Sequence, residues 1–247
     1  MTVWRAVVFG LVQGLTEFLP VSSSGHLMLL ERLSLAPPSV FLNLTLHLAT
    51  LLAVLVSMRR EVWDVIRHPV RGDLKYLCIA SVPTLLIALA FERFCPALTE
   101  GAMLPLCFLL TAMMLSLGEI CSKGISRDIT VGNSVLVGVV QGIAVLPGVS
   151  RSGATISTLR LCGVDAGRAT GFSFLMSLPV IAGGFLIEGV KSGFSVEGVS
   201  AAEILVASAV AFVSGLFAAR FMLGRGKKMI PFAIYTFVLG IVSFFLL

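Results

Sequence analysis

Two short stretches of this chain hold most of the residues able to do chemistry, and the two are copies of one another. Residues 10–25 read GLVQGLTEFLPVSSSG and residues 138–153 read GVVQGIAVLPGVSRSG, an ungapped match at an offset of 128 with 8 of 16 positions identical. The shared positions include Gln13 and Gln141, Ser22 and Ser150, Ser24 and Ser152, and Gly25 and Gly153. The differences are chemical. The first copy carries Glu17 and Ser23 and is followed by His26; the second carries Arg151 in place of Ser23 and is followed by Thr155. An acid and an imidazole on one segment, with a guanidinium on the other, suit a site assembled between them.

Gln13 and Glu17 are four residues apart and share a helix face. Glu17 stands in an otherwise apolar run, where an ionisable group points to function. Pro20 and Gly25 allow a tight turn, and Ser22, Ser23 and Ser24 between them can cap the helix that follows. His26 can serve as general base, nucleophile or proton shuttle. His47 lies in an apolar run with no polar motif around it and His68 lies in a basic loop; both read as structural. In the second copy, Pro147 and Gly148 open a turn, and Ser150-Arg151-Ser152 begin a helix whose free amides and dipole favour an anion. Arg151 adds a permanent two-pronged charge suited to phosphate, and Ser150, Ser152 and Thr155 add hydroxyl donors. The segment is a phosphate cradle by construction. Glu17 together with phosphate oxygens forms a candidate site for a divalent cation, as carboxylates with phosphate oxygens commonly do for Mg2+. Arg160 and Arg168 are expected to reach the inner surface.

The elements that position these residues follow from composition. Of 247 residues, 57% are hydrophobic and 13% charged, with mean hydropathy +1.02, against about 25% charged in a soluble domain. Charge-free runs at 33–58, 129–150, 169–187 and 229–247, and shorter ones at 76–91, 102–118 and 204–219, predict an all-α polytopic membrane protein. The five cysteines lack metal-ligand spacing and read as packing residues. The net charge of +5 resides in loops, which argues for topology rather than a nucleic-acid partner. Basic loops at 59–75 (including Arg71), 123–127 (Lys123, Arg127) and 220–228 (including Arg225) are placed in the cytoplasm by the positive-inside rule, and loops 92–101 and 188–200 outside. Spans then alternate at 41–58, 74–92, 102–121, 169–187, 201–222 and 229–247. Residues 1–35 and 130–165 become two re-entrant helical hairpins, the first entering from outside and the second from inside. Each half, about 1–121 and 122–247 of a single membrane domain, is one hairpin plus three spans, and three being odd, the halves are inverted: an inverted-topology repeat. Two full crossings by each hairpin give the same side assignments.

With both motifs in view, the chain resembles the undecaprenyl pyrophosphate phosphatases, the bacitracin-resistance membrane proteins of bacteria, over nearly its full length. The resemblance is carried by Gln13-Gly-Leu-Thr-Glu17, by the run Phe18 to His26, and by Pro147 to Thr155. It implies hydrolysis of undecaprenyl diphosphate to the monophosphate carrier lipid and phosphate, dependent on Mg2+ or Ca2+. The site would face the outer side of the cytoplasmic membrane, and the recycled lipid would serve peptidoglycan synthesis. Carried over, Glu17 with Gln13 serves metal or proton handling, and Arg151, Ser150 and Thr155 bind the diphosphate with Ser22, Gly148 and Ser152 beside them. Ser23 activated by His26, His26 itself, or water is the nucleophile. Gln13 leaves a single carboxylate in its motif. The alternative is a prenyl-phosphate or solute transporter using the same inverted-repeat site. A homo-oligomer is compatible with the sequence.

Overall fold

The computed structural model describes residues 2–33, 39–68, 72–122, 128–193, 199–224 and 227–246. The basic residues Arg71, Lys123, Arg127 and Arg225, and residues 34 and 35 at the end of the first expected hairpin, lie outside the described residues. The described residues are helical and contain no strand. In chain order the helices are α1 (Val3–Phe18), α2 (Ser23–Arg32), α3 (Val40–Ser57), α4 (Arg59–Arg67), α5 (Leu74–Phe94), α6 (Pro96–Thr99), α7 (Leu104–Ile120), α8 (Val131–Ile143), α9 (Arg151–Leu161), α10 (Ala166–Ser192), α11 (Ala201–Leu223) and α12 (Ile230–Leu246). The fold class is an all-α polytopic membrane protein. Helices α3, α5, α10 and α11 are long and apolar enough to cross a bilayer, and α7, α8 and α12 are shorter apolar helices. Large apolar side chains such as Leu86, Phe217 and Phe245 are exposed, as suits a surface solvated by lipid.

The two repeated segments are helix–turn–helix hairpins, α1–α2 and α8–α9. Helix α1 stops because Leu19 is extended, at ψ 140°, as the residue before a proline prefers. The turn then passes through Ser22 at φ 71°, a left-handed conformation that is costly for a residue with a Cβ. Gly148, at φ 95°, makes the corresponding turn before α9. At 10 and 11 residues, α2 and α9 are about 15 and 16.5 Å long, roughly half the hydrocarbon thickness, so neither crosses it alone.

Each hairpin packs its first helix against the other half of the chain, α1 along α11 and α8 along α5. Small residues permit it. A Cβ on Gly10 would strike the Ala207 carbonyl and lie 2.9 Å from the Val210 Cβ; one on Gly14 would strike Ser214 Oγ and lie 2.5 Å from the Ala211 carbonyl oxygen. The equivalent glycines of the second copy do the same, Gly138 against Ala80 and Pro83, and Gly142 against Thr84 and Ile87. In both pairs the register advances together, so α1 runs parallel to α11 and α8 parallel to α5.

Polar ties group the helix ends into two sets. Arg168 donates two bonds of 2.5 Å to Asp73, joining the starts of α10 and α5. Arg160 donates to Glu119 at 2.7 Å, and Glu119 also accepts from the Met229 amide at 3.0 Å, joining the ends of α9 and α7 to the start of α12. At the other face Lys191 pairs with Glu92, and Arg32 donates to the Glu100 and Gly101 carbonyls. Arg160 therefore departs from expectation: it is 8% exposed and held by Glu119, because the end of α9 is covered by α7.

Replacing Gly14 by leucine should force α1 and α11 apart and cost about 1–3 kcal/mol, seen as a lower thermal-unfolding midpoint in detergent. Gly183→Ala, where nothing lies within 4 Å of the added carbon, should leave that midpoint in place.

Candidate active site

The turns of the two hairpins meet inside the bundle, and their backbone groups are satisfied by each other's side chains, as buried backbone requires. Ser22 Oγ accepts from its own helix at the Gly25 amide (3.3 Å) and from the Gly148 amide of the other hairpin (3.1 Å). Thr111 of α7 donates to the Gly148 carbonyl at 2.8 Å and accepts from the Ser150 amide at 2.9 Å. Ser150 Oγ accepts from the Gly153 amide at 3.1 Å. Ser22 and Ser150 thus cap α2 and α9 at equivalent positions of the repeat, and the first helical residues are Ser23 and Arg151, which the offset of 128 also equates.

Both of these residues converge on Glu17. Arg151 Nη2 donates to Glu17 Oε1 at 2.6 Å, and Ser23 Oγ donates to Glu17 Oε2 at 2.6 Å. Gln13 Nε2 donates to Oε2 at 3.1 Å, and His47 Nε2 lies 3.8 Å from the same oxygen. Glu17 is 7% exposed. At that depth a lone carboxylate or guanidinium is costly, and the pair offsets both charges. Glu17, Ser23, Arg151 and His47 line a cavity of about 310 Å³ together with Ser22, Ser24 and Ser150. Two helix N-termini, α2 and α9, and the Arg151 charge open onto it, an arrangement that favours an anion.

A second cavity of about 870 Å³ adjoins the first and shares Val145, Val180 and Gly184 with it. It lies between α5 and α10, lined mainly by apolar and small residues such as Leu85, Ala88, Leu89 and Ile187. These two helices are tied at both ends, by Arg168–Asp73 and by Lys191–Glu92, and stand apart between.

The remaining residues singled out from sequence are placed as follows. Thr155 and Ser152 are buried and hold α9: Thr155 Oγ1 meets Ser173 Oγ at 2.6 Å, and Ser152 donates to the Leu19 carbonyl at 3.4 Å. Gly148 has no room for a side chain, since a Cβ would come 2.7 Å from the Leu104 carbonyl oxygen and the Cys107 Cβ. Gln13 is wholly buried behind Glu17. None of these lines the cavity. His26, expected to activate Ser23 or to attack directly, does not line the cavity. Its Nδ1 lies 2.6 Å from the Ser22 carbonyl, a pure acceptor, so Nδ1 carries the hydrogen and Nε2 accepts from the Tyr235 hydroxyl at 2.7 Å. The ring also stacks on Tyr235 and meets Phe108 edge-on. The histidine that does line the cavity is His47, read from sequence as structural. The signal that marked Glu17, a titratable group inside an apolar run, was present there too.

The donor set does not fit a resident Mg2+ or Ca2+ held by side chains. Such ions take six or more oxygens. Among the described residues no three His, Cys, Asp or Glu side chains could share an ion, and Glu17, the carboxylate here, has both oxygens engaged.

Comparison with known proteins gives the chain's family. The family model described as "Bacitracin resistance protein BacA" matches residues 6–242. An undecaprenyl-diphosphatase of Carboxydothermus hydrogenoformans is 39% identical, over 98% of this chain and 96% of its own. One of Christiangramia forsetii is 38% identical over 98% and 97%, and one of Korarchaeum cryptofilum is 34% identical over 98% of each. The chain belongs to the bacitracin resistance protein BacA family.

Proposed function

We propose that this protein hydrolyses undecaprenyl diphosphate to undecaprenyl phosphate and phosphate, as the names of its relatives state for them. The observation that carries the reading is the convergence of Ser23 and Arg151, each the first residue of its helix, on one carboxylate. The anion-favouring cavity takes the diphosphate head, and the apolar groove between α5 and α10 takes the prenyl tail. Arg151 and the α2 and α9 amides bind the terminal phosphate, trading part of the Arg151–Glu17 pair for the incoming charge. Ser23 Oγ attacks the terminal phosphorus while Glu17 Oε2, already at hydrogen-bond distance, accepts its proton. Gln13 and the Arg151 pair hold the carboxylate in place. His26 acts through the turn, by fixing the Ser22 carbonyl.

The same reading covers topology. Helices α1–α2 and α8–α9 are re-entrant hairpins of an inverted-topology repeat; the short α2 and α9, the reciprocal pairing with α11 and α5, and the two sets of tied helix ends support it. The membrane is the cytoplasmic one and the cavity faces outward, since the basic loops fall on the opposite side. A divalent cation, if required, would be held chiefly by the diphosphate's own oxygens and would supply neutralisation of substrate charge.

Purified protein in detergent should release phosphate from undecaprenyl diphosphate, and chelator should stop it. Ser23→Ala and Glu17→Gln should each slow release by about 100-fold or more in folded protein. Arg151→Lys, which keeps the charge and loses the fork, should raise KM as well as lower kcat. No release by folded wild type would overturn the reading. Equilibrium dialysis with labelled Ca2+ should find no stoichiometric ion on the substrate-free protein, and uptake only with diphosphate present; one ion per protein without substrate would refute the substrate-borne cation.

A further inference from the structure

A serine that attacks phosphorus leaves a phosphoserine, and its hydrolysis needs a base of its own. Glu17 is not available for it. Once Ser23 has been phosphorylated, Glu17 carries the serine proton and must keep it until Oγ leaves. The other Glu17 oxygen is taken by Arg151. A second proton acceptor facing the same cavity is required.

The geometry points to His47 as that base, a catalytic residue for the second half of the reaction. This rests on Ser23 being the nucleophile. Three observations carry it. His47 lines the cavity, with its side chain 31% exposed. Its Nδ1 lies 2.8 Å from the Asn43 carbonyl one turn earlier on α3; a carbonyl only accepts, so Nδ1 holds the hydrogen and Nε2 the lone pair. Nε2 makes no hydrogen bond to the described residues and stands 3.8 Å from Glu17 Oε2, beside the oxygen that bonds Ser23 Oγ. The contrast with His26 decides between the two imidazoles: the Nε2 lone pair of His26 is occupied by the Tyr235 hydroxyl.

The steps balance. In the first, Ser23 Oγ bonds the terminal phosphorus and the bond from that phosphorus to the bridging oxygen breaks. The serine proton passes to Glu17, and the prenyl monophosphate leaves with the bridging oxygen and its electron pair. In the second, a water oxygen bonds the same phosphorus as one water proton passes to His47 Nε2. The phosphorus–Oγ bond breaks, Oγ recovers its proton from Glu17, and hydrogen phosphate leaves with the other water proton. His47 then gives its proton to the solvent.

The test follows both products from undecaprenyl diphosphate labelled with 32P on the terminal phosphate, using full-length protein in detergent. His47→Gln should form about one equivalent of undecaprenyl phosphate per protein at the wild-type rate. Phosphate release should then slow by about 100-fold, with the label held on Ser23 after an acid quench. That first turnover also reports that the variant is folded and binds substrate. In His47→Ala, added imidazole should restore phosphate release by entering the open cavity, a rescue that a structural role would not give. Wild-type turnover in His47→Gln, or loss of both products together without label, would overturn the assignment to His47 while leaving Ser23 in question only if Ser23→Ala also turned over. Turnover by Ser23→Ala, with no label on any variant, would remove the covalent reading and this assignment with it.

Discussion

The ion pair between Glu17 and Arg151 is the contact on which the rest of this structure depends. Neither charge is tolerable alone at the depth of the broken helices, and the pair lies across the junction of the two hairpins, at 2.6 Å between side chains 134 residues apart. It therefore fixes the turns against each other and stores a charged, ligand-ready guanidinium in an apolar bundle. Its asymmetry is what makes it useful. One Glu17 oxygen holds the arginine, while the other holds Ser23 and Gln13.

Around that pair, interrupted backbone is made tolerable by a small number of side chains. Ser22 and Ser150 cap their own helices, Ser22 also receives the Gly148 amide, and Thr111 serves both sides of the second turn. The left-handed conformation of Ser22 persists because these bonds over-determine it. The hairpins reach this junction through glycine-lined contacts with α11 and α5, so close helix packing away from the cavity sets the position of the turns that carry Ser23 and Arg151.

Divergence between the copies supplies the chemistry. The position that is Ser23 in one is Arg151 in the other, and the partner of Glu17 is Val145. One copy carries the carboxylate and the serine that bond each other, and the other carries the guanidinium, on the same backbone plan. The halves also differ in packing. Helices α5 and α10 are joined at their ends and stand apart in the middle, whereas α3 and α11 pack closely. An apolar groove thus exists on one side, continuous with the polar cavity.

Much of this was legible in the chain. The long apolar helices, the two broken segments, and Glu17, Ser23 and Arg151 as the polar residues those segments bring together could all be read, because the cost of placing each side chain in lipid is a property of that side chain and shows in composition and local pattern. The capping role of serines in the turns was legible for the same reason, being a bond to a residue three positions away. What stayed hidden were partnerships. Tyr235, 209 residues from His26, meets one nitrogen of that ring, while α3 brings His47 against Glu17. Arg160 was expected at the surface and is buried on Glu119. The sequence by itself determined which residues are too polar for their surroundings and where the helices break. Only the tertiary structure decided which of those residues face one another, because ring direction and ion pairing depend on helices remote in sequence and close in space.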